Sequence, residues 1–186
     1  MLCDILCCGP RINLYSPQNN KSISCNIPIF DTDYCFAADA RVISIFADNP
    51  KLLRNSKLIV YNNVYFFIKE FRKNLIPYVS SVISSTKDPK TRKNSAHMSA
   101  EIMIRKGFTE LDIYGCDSWF DPNNYWESHT NQFLKEKKET EEGLGHSWNE
   151  EWKRMMALYP NIKFNFRSEE HTSELQSHSF ISYAVF

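Results

Sequence analysis

A glycine and an aspartate stand two residues apart, directly after the most apolar strand-like run of the chain. The stretch GFTELDIYGCDSWFD, residues 107–121, reads as the end of a helix, a strand, and then an acidic and aromatic loop. Open α/β sheets bind ligands at the carboxyl ends of their strands. The carboxylate of Asp117 could therefore hold a ribose hydroxyl, an acceptor sugar or a metal-bound phosphate, with Gly115 clearing space. Asp117 could equally cap the turn that follows, so both interpretations stay open.

Two further segments place polar groups beside a strand end or a helix start. Gly9 and Pro10 follow the first apolar run. A glycine there lets the backbone approach a phosphate, although a plain strand-ending turn explains it as well. In NSAH, Ser95 lies beside the exposed N–H groups of a predicted helix, which favour anions. Asn94 and Ser95 also fit an ordinary helix cap, with His97 as a partly exposed residue of the first turn.

The fourth segment is Gly145-His146-Ser147, a histidine just before a predicted helix. Ser147 and Glu150 have the spacing of a capping box, which predicts that the helix begins there. The positive end of the helix dipole disfavours an imidazolium ion, so a neutral His146 would suit a general base. A solvent-exposed histidine without a catalytic role is the alternative.

The composition narrows the classes of function. The 186 residues include 22 Lys and Arg against 22 Asp and Glu, and this balance gives no reason to expect nucleic acid or an anionic membrane as a partner. The six cysteines lack a Cys-X-X-Cys pair, which favours buried thiols in a reducing compartment. No stretch approaches the ~20 apolar residues of a membrane span, and no signal peptide is recognisable. We therefore expect a cytoplasmic protein.

Short apolar runs alternate with helix-period segments, which indicates an α/β sheet with helices on both faces. We expect a single Rossmann-like domain over residues 1–166 with a mainly parallel sheet. The polar region 121–145 is predicted to be a lid or excursion with an exposed helix around 131–142. Strands are predicted in LCDILCC, SISCNI, DYCFAAD, KLIVYNN, YVSSVISST, ELDIYGCD and IKFNF, and helices in VYFFIKEFRKN, NSAHMSAEIMIRKGF and SWNEEWKRMMALYP.

The last twenty residues, RSEEHTSELQSHSFISYAVF, resemble the in-frame translation of a sequencing-library adapter. Ser179 and Phe180 would occupy the place of the index. We therefore expect residues 167–186 to be a non-native, disordered tail, and the domain to be truncated at its C-terminal end after Phe166.

The order of five segments resembles a known superfamily. It contains the bacterial sialyltransferases of glycosyltransferase family forty-two and the motility-accessory, 6-hydroxymethylpterin pyrophosphokinase-like family. Its small bacteriophage-encoded variants, labelled norphogenetic proteins, look most similar, which implies a phage or its bacterial host as the source. The resemblance covers nearly all of residues 2–166 and is most specific over 94–118. The segments are ILCCGPRINL, SCN, DYCFAADARVI, NSAHMSAEIMIRKGFTELDIYGCDSWFD and GHSWNEEWKRMMALYPNIKFN.

The resemblance implies a set of nucleotide-binding residues. Gly9 and Pro10 match the Gly-Pro of the family's nucleotide-binding first loop. Asn26 matches the asparagine that ends the second strand and faces the nucleotide. Ser95 matches the serine at the nucleotide-facing helix start, and Gly115 matches the glycine after the central strand.

The resemblance also implies two catalytic residues. His146 is similar to the histidine that precedes the last helix in the sialyltransferases and deprotonates the acceptor hydroxyl, and Asp117 matches the aspartate after the central strand. The first loop reads CCGPR where the family usually has Gly-Asn-Gly-Pro-Ser, and Ala96 stands where the family has a glycine. Arg11 could bring a positive charge to a phosphate in this loop.

The resemblance therefore implies a glycosyltransferase-like enzyme that transfers a sugar from a nucleotide-activated donor to an acceptor. Its expected partner is the nucleotide-sugar or another nucleotide, and neither a cofactor nor a metal is expected. One alternative is ATP-dependent pyrophosphoryl transfer to a pterin, in which Asp117 would hold Mg²⁺. Another is a non-catalytic phage protein that binds a nucleotide or a sugar.

Overall fold

The computed structural model describes residues 1–84, 93–124, 133 and 143–168, and its centre is a seven-stranded sheet. The strands are β1 (Leu2–Leu6), β2 (Lys21–Cys25), β3 (Tyr34–Phe36), β4 (Lys57–Tyr61), β5 (Val79–Ile83), β6 (Glu110–Tyr114) and β7 (Lys163–Phe166). They lie in the order β5-β4-β3-β2-β1-β6-β7, and every neighbouring pair is parallel. The predicted Rossmann-like α/β architecture is confirmed.

Helices cover both faces of this sheet, because each buried strand presents apolar residues alternately to either side. In β4, Leu58 and Val60 pack into one hydrophobic cluster and Ile59 into the other. The helices of the described residues are α1 (Ala40–Asp48), α2 (Asn62–Phe71), α3 (Ser95–Arg105), α4 (Asp117–Phe120) and α5 (Leu144–Leu158), with 3₁₀ turns at Pro10–Leu14, Pro50–Leu53, Lys73–Tyr78 and Pro122–Asn124. The first cluster includes buried side chains of α1 and α2, and the second includes those of α3 and α5.

Helix α5 begins earlier than its sequence pattern indicates. It starts at Leu144, after Gly143 in the left-handed conformation with φ of 73°. The predicted capping box of Ser147 and Glu150 is wrong, because the Ser147 hydroxyl instead donates to the Gly143 carbonyl at 3.2 Å. His146 therefore lies within the first turn of the helix and not ahead of it.

Close packing explains why the helix extends to this earlier start. Gly145 is buried against the 3₁₀ turn Pro122–Asn124, and a Cβ atom at Gly145 would lie 1.9 Å from the Pro122 carbonyl oxygen. A glycine without a side chain is thus required where α5 meets this turn. The tertiary contact outweighs the local preference of Ser147 for a helix cap.

Most of two predicted segments lies outside the described residues. Of the predicted exposed helix around 131–142, the structure describes residue 133 alone, and of the predicted disordered tail 167–186 it describes residues 167 and 168. At the end of β7, the backbone N–H of Arg167 donates to the Ile113 carbonyl at 2.9 Å. Its guanidinium also pairs with the buried carboxylate of Asp112. The pairing between β6 and β7 therefore continues to Arg167.

Candidate functional site

The strand order reverses between β1 and β6. From β1 the chain adds β2 to β5 on one side, and then crosses back to add β6 and β7 on the other. Such a reversal separates the loops at the carboxyl ends of the two central strands and is the usual ligand site in open α/β sheets. The predicted site residues lie in loops that follow β1, β2 and β6, or in the first turns of α3 and α5. They therefore share one edge of the sheet.

The loops after β1 and β6 touch each other through two glycines. The N–H of Gly9 donates to the Gly115 carbonyl at 2.9 Å. A Cβ atom at Gly9 would lie 2.1 Å from an Asp117 carboxylate oxygen, and one at Gly115 would lie 3.0 Å from the Gly9 carbonyl oxygen. Gly115 also has φ of +67°, which favours glycine. The space that each glycine leaves is thus filled by the opposite loop, while contact of either with a nucleotide stays a prediction.

Asp117 is engaged by Arg11 of the first loop. One carboxylate oxygen accepts the backbone N–H of Arg11 at 3.1 Å, and the other accepts its guanidinium at 2.9 Å. Asp117 is only 7% exposed, and the N-cap position of α4 belongs to Cys116 and not to Asp117. The Arg11 guanidinium also lies over the Phe120 ring, 4.8 Å from its centroid. Of the two sequence interpretations, the side-chain cap does not form, and the carboxylate instead fixes the first loop.

Asn26 and Ser95 meet on the other side of β1. The Ser95 hydroxyl donates to the Asn26 side-chain oxygen at 3.2 Å. Asn26 has φ of 60° and donates its backbone N–H to the Phe36 carbonyl at 2.8 Å, which fixes its position after β2. Both residues are only partly buried, so their polar atoms border the solvent at the N-terminus of α3. Two of the residues that the resemblance assigns to nucleotide binding therefore form one polar pair.

Asn94 caps helix α3, as its sequence predicts. Its side-chain oxygen accepts the N–H groups of Ala96 at 3.0 Å and His97 at 3.2 Å. In return, the Asn94 N–H donates to His97 Nδ1 at 3.1 Å, which completes a capping box. A histidine here takes the place of the glutamate or glutamine that usually closes such a box.

His97 is completely buried, so the prediction of a partly exposed ring is wrong. Because Nδ1 accepts a hydrogen bond from the Asn94 backbone N–H, Nε2 carries the ring hydrogen and donates to the Trp148 carbonyl at 3.0 Å. Burial, with a smaller contribution from the positive charges of Lys93 and Arg154, lowers the pKa of His97 to about 3. The imidazole is therefore neutral at physiological pH.

His97 joins the first turn of α3 to helix α5. Its ring packs on that of Trp152 at a centroid distance of 4.3 Å, and Trp148, which accepts its hydrogen bond, follows His146 by two residues. His146 itself is exposed. The structure thus brings the helix that carries the predicted base next to the turn that carries Ser95. The sequence did not predict this contact between His97 and α5. The one signal it offered was the spacing of Asn94 and His97, which is that of a capping box.

The described residues contain no group of three or more His, Cys, Asp or Glu side chains placed to hold a metal ion. The six cysteines are free thiols, and burial raises the pKa of Cys3 and Cys35 above their ordinary value. Among the helices in this part of the chain, none is long and apolar enough to cross a membrane. The polar groups of the candidate site are the carboxylate of Asp117 and hydroxyl, amide, imidazole and guanidinium groups, together with backbone N–H groups.

Known proteins give no further guide to the chemistry of this edge. Neither protein-family models, nor curated proteins, nor solved structures yield a match to the chain. The fold is that of a Rossmann-like α/β protein, and its candidate site is the reversal point with the adjoining starts of α3 and α5.

The Arg11–Asp117 pair should stabilise the fold by holding the two loops together. We expect Arg11→Ala to lower the free energy of unfolding by about 2–4 kcal/mol, because it leaves a buried carboxylate without its charged partner. The double variant Arg11→Ala/Asp117→Ala should lose less than the sum of the two single variants. Urea denaturation of all four proteins measures this coupling, and simple additivity would show that the pair contributes nothing.

His97 should make the stability depend on pH below neutrality. Its pKa is about 3 in the folded chain against an ordinary 6.5, so between these values the unfolded chain binds a proton that the folded chain excludes. The free energy of unfolding should therefore fall with decreasing pH, approaching about 1.4 kcal/mol per unit well below pH 6.5. Denaturation at pH 6.5 and at pH 5, above the range where most carboxylates titrate, measures this slope.

Two variants separate His97 from other titrating groups. His97→Gln should be less stable at pH 7 but show a flatter profile between the two pH values, since no imidazole is left to protonate. His146→Gln should keep the slope of the parent protein, because the His146 side chain is exposed. Equal slopes in the parent and in His97→Gln would contradict the assignment.

Proposed function

We propose that the protein is a glycosyltransferase-like enzyme that transfers a sugar from a nucleotide-activated donor to an acceptor hydroxyl. The observation that carries this proposal is the junction of α3 and α5. The pair of Ser95 and Asn26 lies at the start of α3, and His97 bonds that start to Trp148 of α5, two residues after His146. A site for an anionic leaving group and a candidate base thus belong to neighbouring helix starts.

The start of α3 would bind the phosphate of the donor. The N-terminus of an α-helix carries a partial positive charge and favours anions. The Ser95 hydroxyl could turn from Asn26 to donate to a phosphate oxygen, and the Asn26 amide could donate to the nucleotide. These groups would stabilise the negative charge that develops on the leaving group, which is the main electrostatic requirement of such a transfer.

His146 would take the proton of the acceptor hydroxyl. Its exposure leaves the imidazole accessible to a second substrate, and the residue that caps α5 is a glycine, Gly143. A neutral imidazole can accept a proton while the hydroxyl attacks the donor sugar. The bond between the sugar and the phosphate breaks in the same step, and the nucleotide leaves with the electron pair.

Asp117 fits a positioning role in this proposal. Both of its oxygens bind Arg11, so it would hold the first loop in place and not bind Mg²⁺ directly. Arg11 would extend the first loop towards the phosphates, with its side chain one-third exposed. In the proposed transfer, hydrogen-bond donors of the protein therefore stabilise the negative charge that develops on the leaving group. The nucleotide-sugar is the substrate.

Nucleotide binding can be tested by thermal shift. We expect a pyrimidine nucleotide to raise the melting temperature of the protein without Mg²⁺, and Ser95→Ala to reduce that shift. The exposed Ser80→Ala is the matched control and should keep the shift of the parent. Stabilisation only by ATP with Mg²⁺ would favour pyrophosphoryl transfer. No response to cytidine, uridine, guanosine or adenosine nucleotides would favour a non-catalytic protein.

The role of His146 can be tested by turnover of the donor that binds. His146→Ala should lower kcat by about 10²–10⁴-fold, the usual contribution of a general base, with little effect on donor binding. Ser147→Ala is the matched control, because its hydroxyl bonds only the Gly143 carbonyl within the same turn. Unchanged turnover in His146→Ala would show that another group takes the proton.

A further inference from the structure

A buried carboxylate on α3 is paired with two cations. Glu101 is 7% exposed, and its two oxygens accept hydrogen bonds from Lys93 Nζ at 2.8 Å and from Arg105 Nη2 at 2.6 Å. Burial opposes its ionisation, but the bonds from Lys93 and Arg105 hold the pKa of Glu101 below its ordinary value. The carboxylate is therefore charged at neutral pH. These three side chains, which we call the Glu101 triad, together carry one surplus positive charge.

The two cations of the Glu101 triad differ in how they reach the carboxylate. Arg105 lies on α3 itself, four positions after Glu101. Lys93 lies ahead of the helix, directly before the cap residue Asn94, and reaches Glu101 through its long side chain. A buried carboxylate that loses every charged partner is strongly destabilised, whereas one that keeps a hydrogen-bonded cation is not. Lys93 can therefore leave Glu101 as long as Arg105 remains.

Lys93 lies beside the part of the candidate site that contains Ser95. Its positive charge is close enough to contribute, after burial, to the low pKa of His97 in the first turn of α3. The backbone N–H groups of Ala96 and His97 already donate to the Asn94 side chain. A phosphate beside Ser95 therefore needs a further donor besides the backbone of this turn.

The first loop does not supply that donor without a cost. The guanidinium of Arg11 is paired with the buried carboxylate of Asp117, one cation to one anion. Binding Arg11 to a phosphate would thus compete with the one charged partner that Asp117 has in this pair. The Glu101 triad has two cations for one anion, so its surplus charge can be offered to a ligand.

We propose that Lys93 is a phosphate-binding residue of the candidate site, and that Glu101 holds it until an anionic ligand binds. The ammonium group would turn from Glu101 to the phosphate beside Ser95, while Arg105 keeps Glu101 paired. A lysine suits this movement because its three N–H donors sit on a flexible four-carbon chain. The role of Lys93 rests on the proposed function, in which the phosphate belongs to the nucleotide-sugar.

Competition with Glu101 would make the site selective for highly charged ligands. A ligand has to replace a carboxylate at the ammonium group, so a phosphate with two negative charges is favoured over a single charge. A neutral sugar would leave Lys93 on Glu101. The expected ligand class is therefore a phosphate or pyrophosphate ester.

Calorimetric titration of the full chain with inorganic pyrophosphate tests the role of Lys93. In a low-salt buffer free of phosphate and sulfate, Lys93→Gln should raise the dissociation constant by about tenfold or more, because a charged hydrogen bond is lost. Lys93→Arg should keep most of the affinity, since it keeps the charge and the donors. Lys153→Gln is the matched control, because it removes the same charge from a lysine that is paired with Glu150 on α5. It should change the dissociation constant by less than about twofold.

Glu101→Gln tests the competition. Without the carboxylate, Lys93 is released, and pyrophosphate should bind more tightly than to the parent protein. In the Lys93→Gln background the same substitution should have little effect. An equal gain in both backgrounds would show that Glu101 acts only through the overall charge, and would overturn the proposal.

The remaining outcomes also decide the proposal. It is overturned if the parent protein does not bind pyrophosphate, or if Lys93→Gln and Lys153→Gln weaken binding equally. Thermal melting shows whether each variant is folded. Should Lys93→Gln fail to fold, the NMR signals of the Lys93 ε-methylene group in the parent protein decide, because they must shift when pyrophosphate binds.

The titration also separates this role from the proposed function. If cytidine diphosphate binds the parent protein and Lys93→Gln equally well, the assignment of Lys93 fails and the proposed function is unaffected. If pyrophosphate binds through Lys93 but no nucleotide binds, the proposed function fails and the anion-binding role of Lys93 remains.

Discussion

The architecture of the candidate site depends on how closely the loops after β1 and β6 approach each other. The two strands pair in register over five residues, and beyond their ends the Gly9 N–H still bonds the Gly115 carbonyl at 2.9 Å. Neither glycine has room for a Cβ atom, and the Arg11–Asp117 pair closes the same contact from its outer side. The loops after β1 and β6 are therefore joined into one hydrogen-bonded unit at the reversal of strand order.

The contacts between these two loops determine which polar groups remain available to a ligand. The carboxylate of Asp117 uses both oxygens on Arg11, so a phosphate near the first loop would meet a compensated charge and not a bare carboxylate. The open polar groups lie on the other side of β1, where Ser95 and Asn26 share a hydrogen bond at the start of α3. In the proposed transfer, the start of α3 would therefore be the main anion site, with Arg11 as a compensated charge beside it.

The sequence predicted what depends on neighbouring residues and missed what depends on distant ones. Strands and helices follow from local periodicity, and a parallel sheet follows from their alternation. The Arg11–Asp117 pair joins residues 106 positions apart, and the sequence of neither segment indicates that it contacts the other. Half of the role of His97 was visible, in its spacing from Asn94, but its bond to Trp148 spans 51 positions.

The low pKa of His97 has a consequence for the whole edge. Burial is its main cause, but Lys93 and Arg154 also oppose protonation, and the ring lies in the first turn of α3, beside Trp148 of α5. The N-terminus of α3 adds a partial positive charge, which further disfavours a proton on His97. A neutral histidine can thus join α3 to α5 without placing a charge in the core.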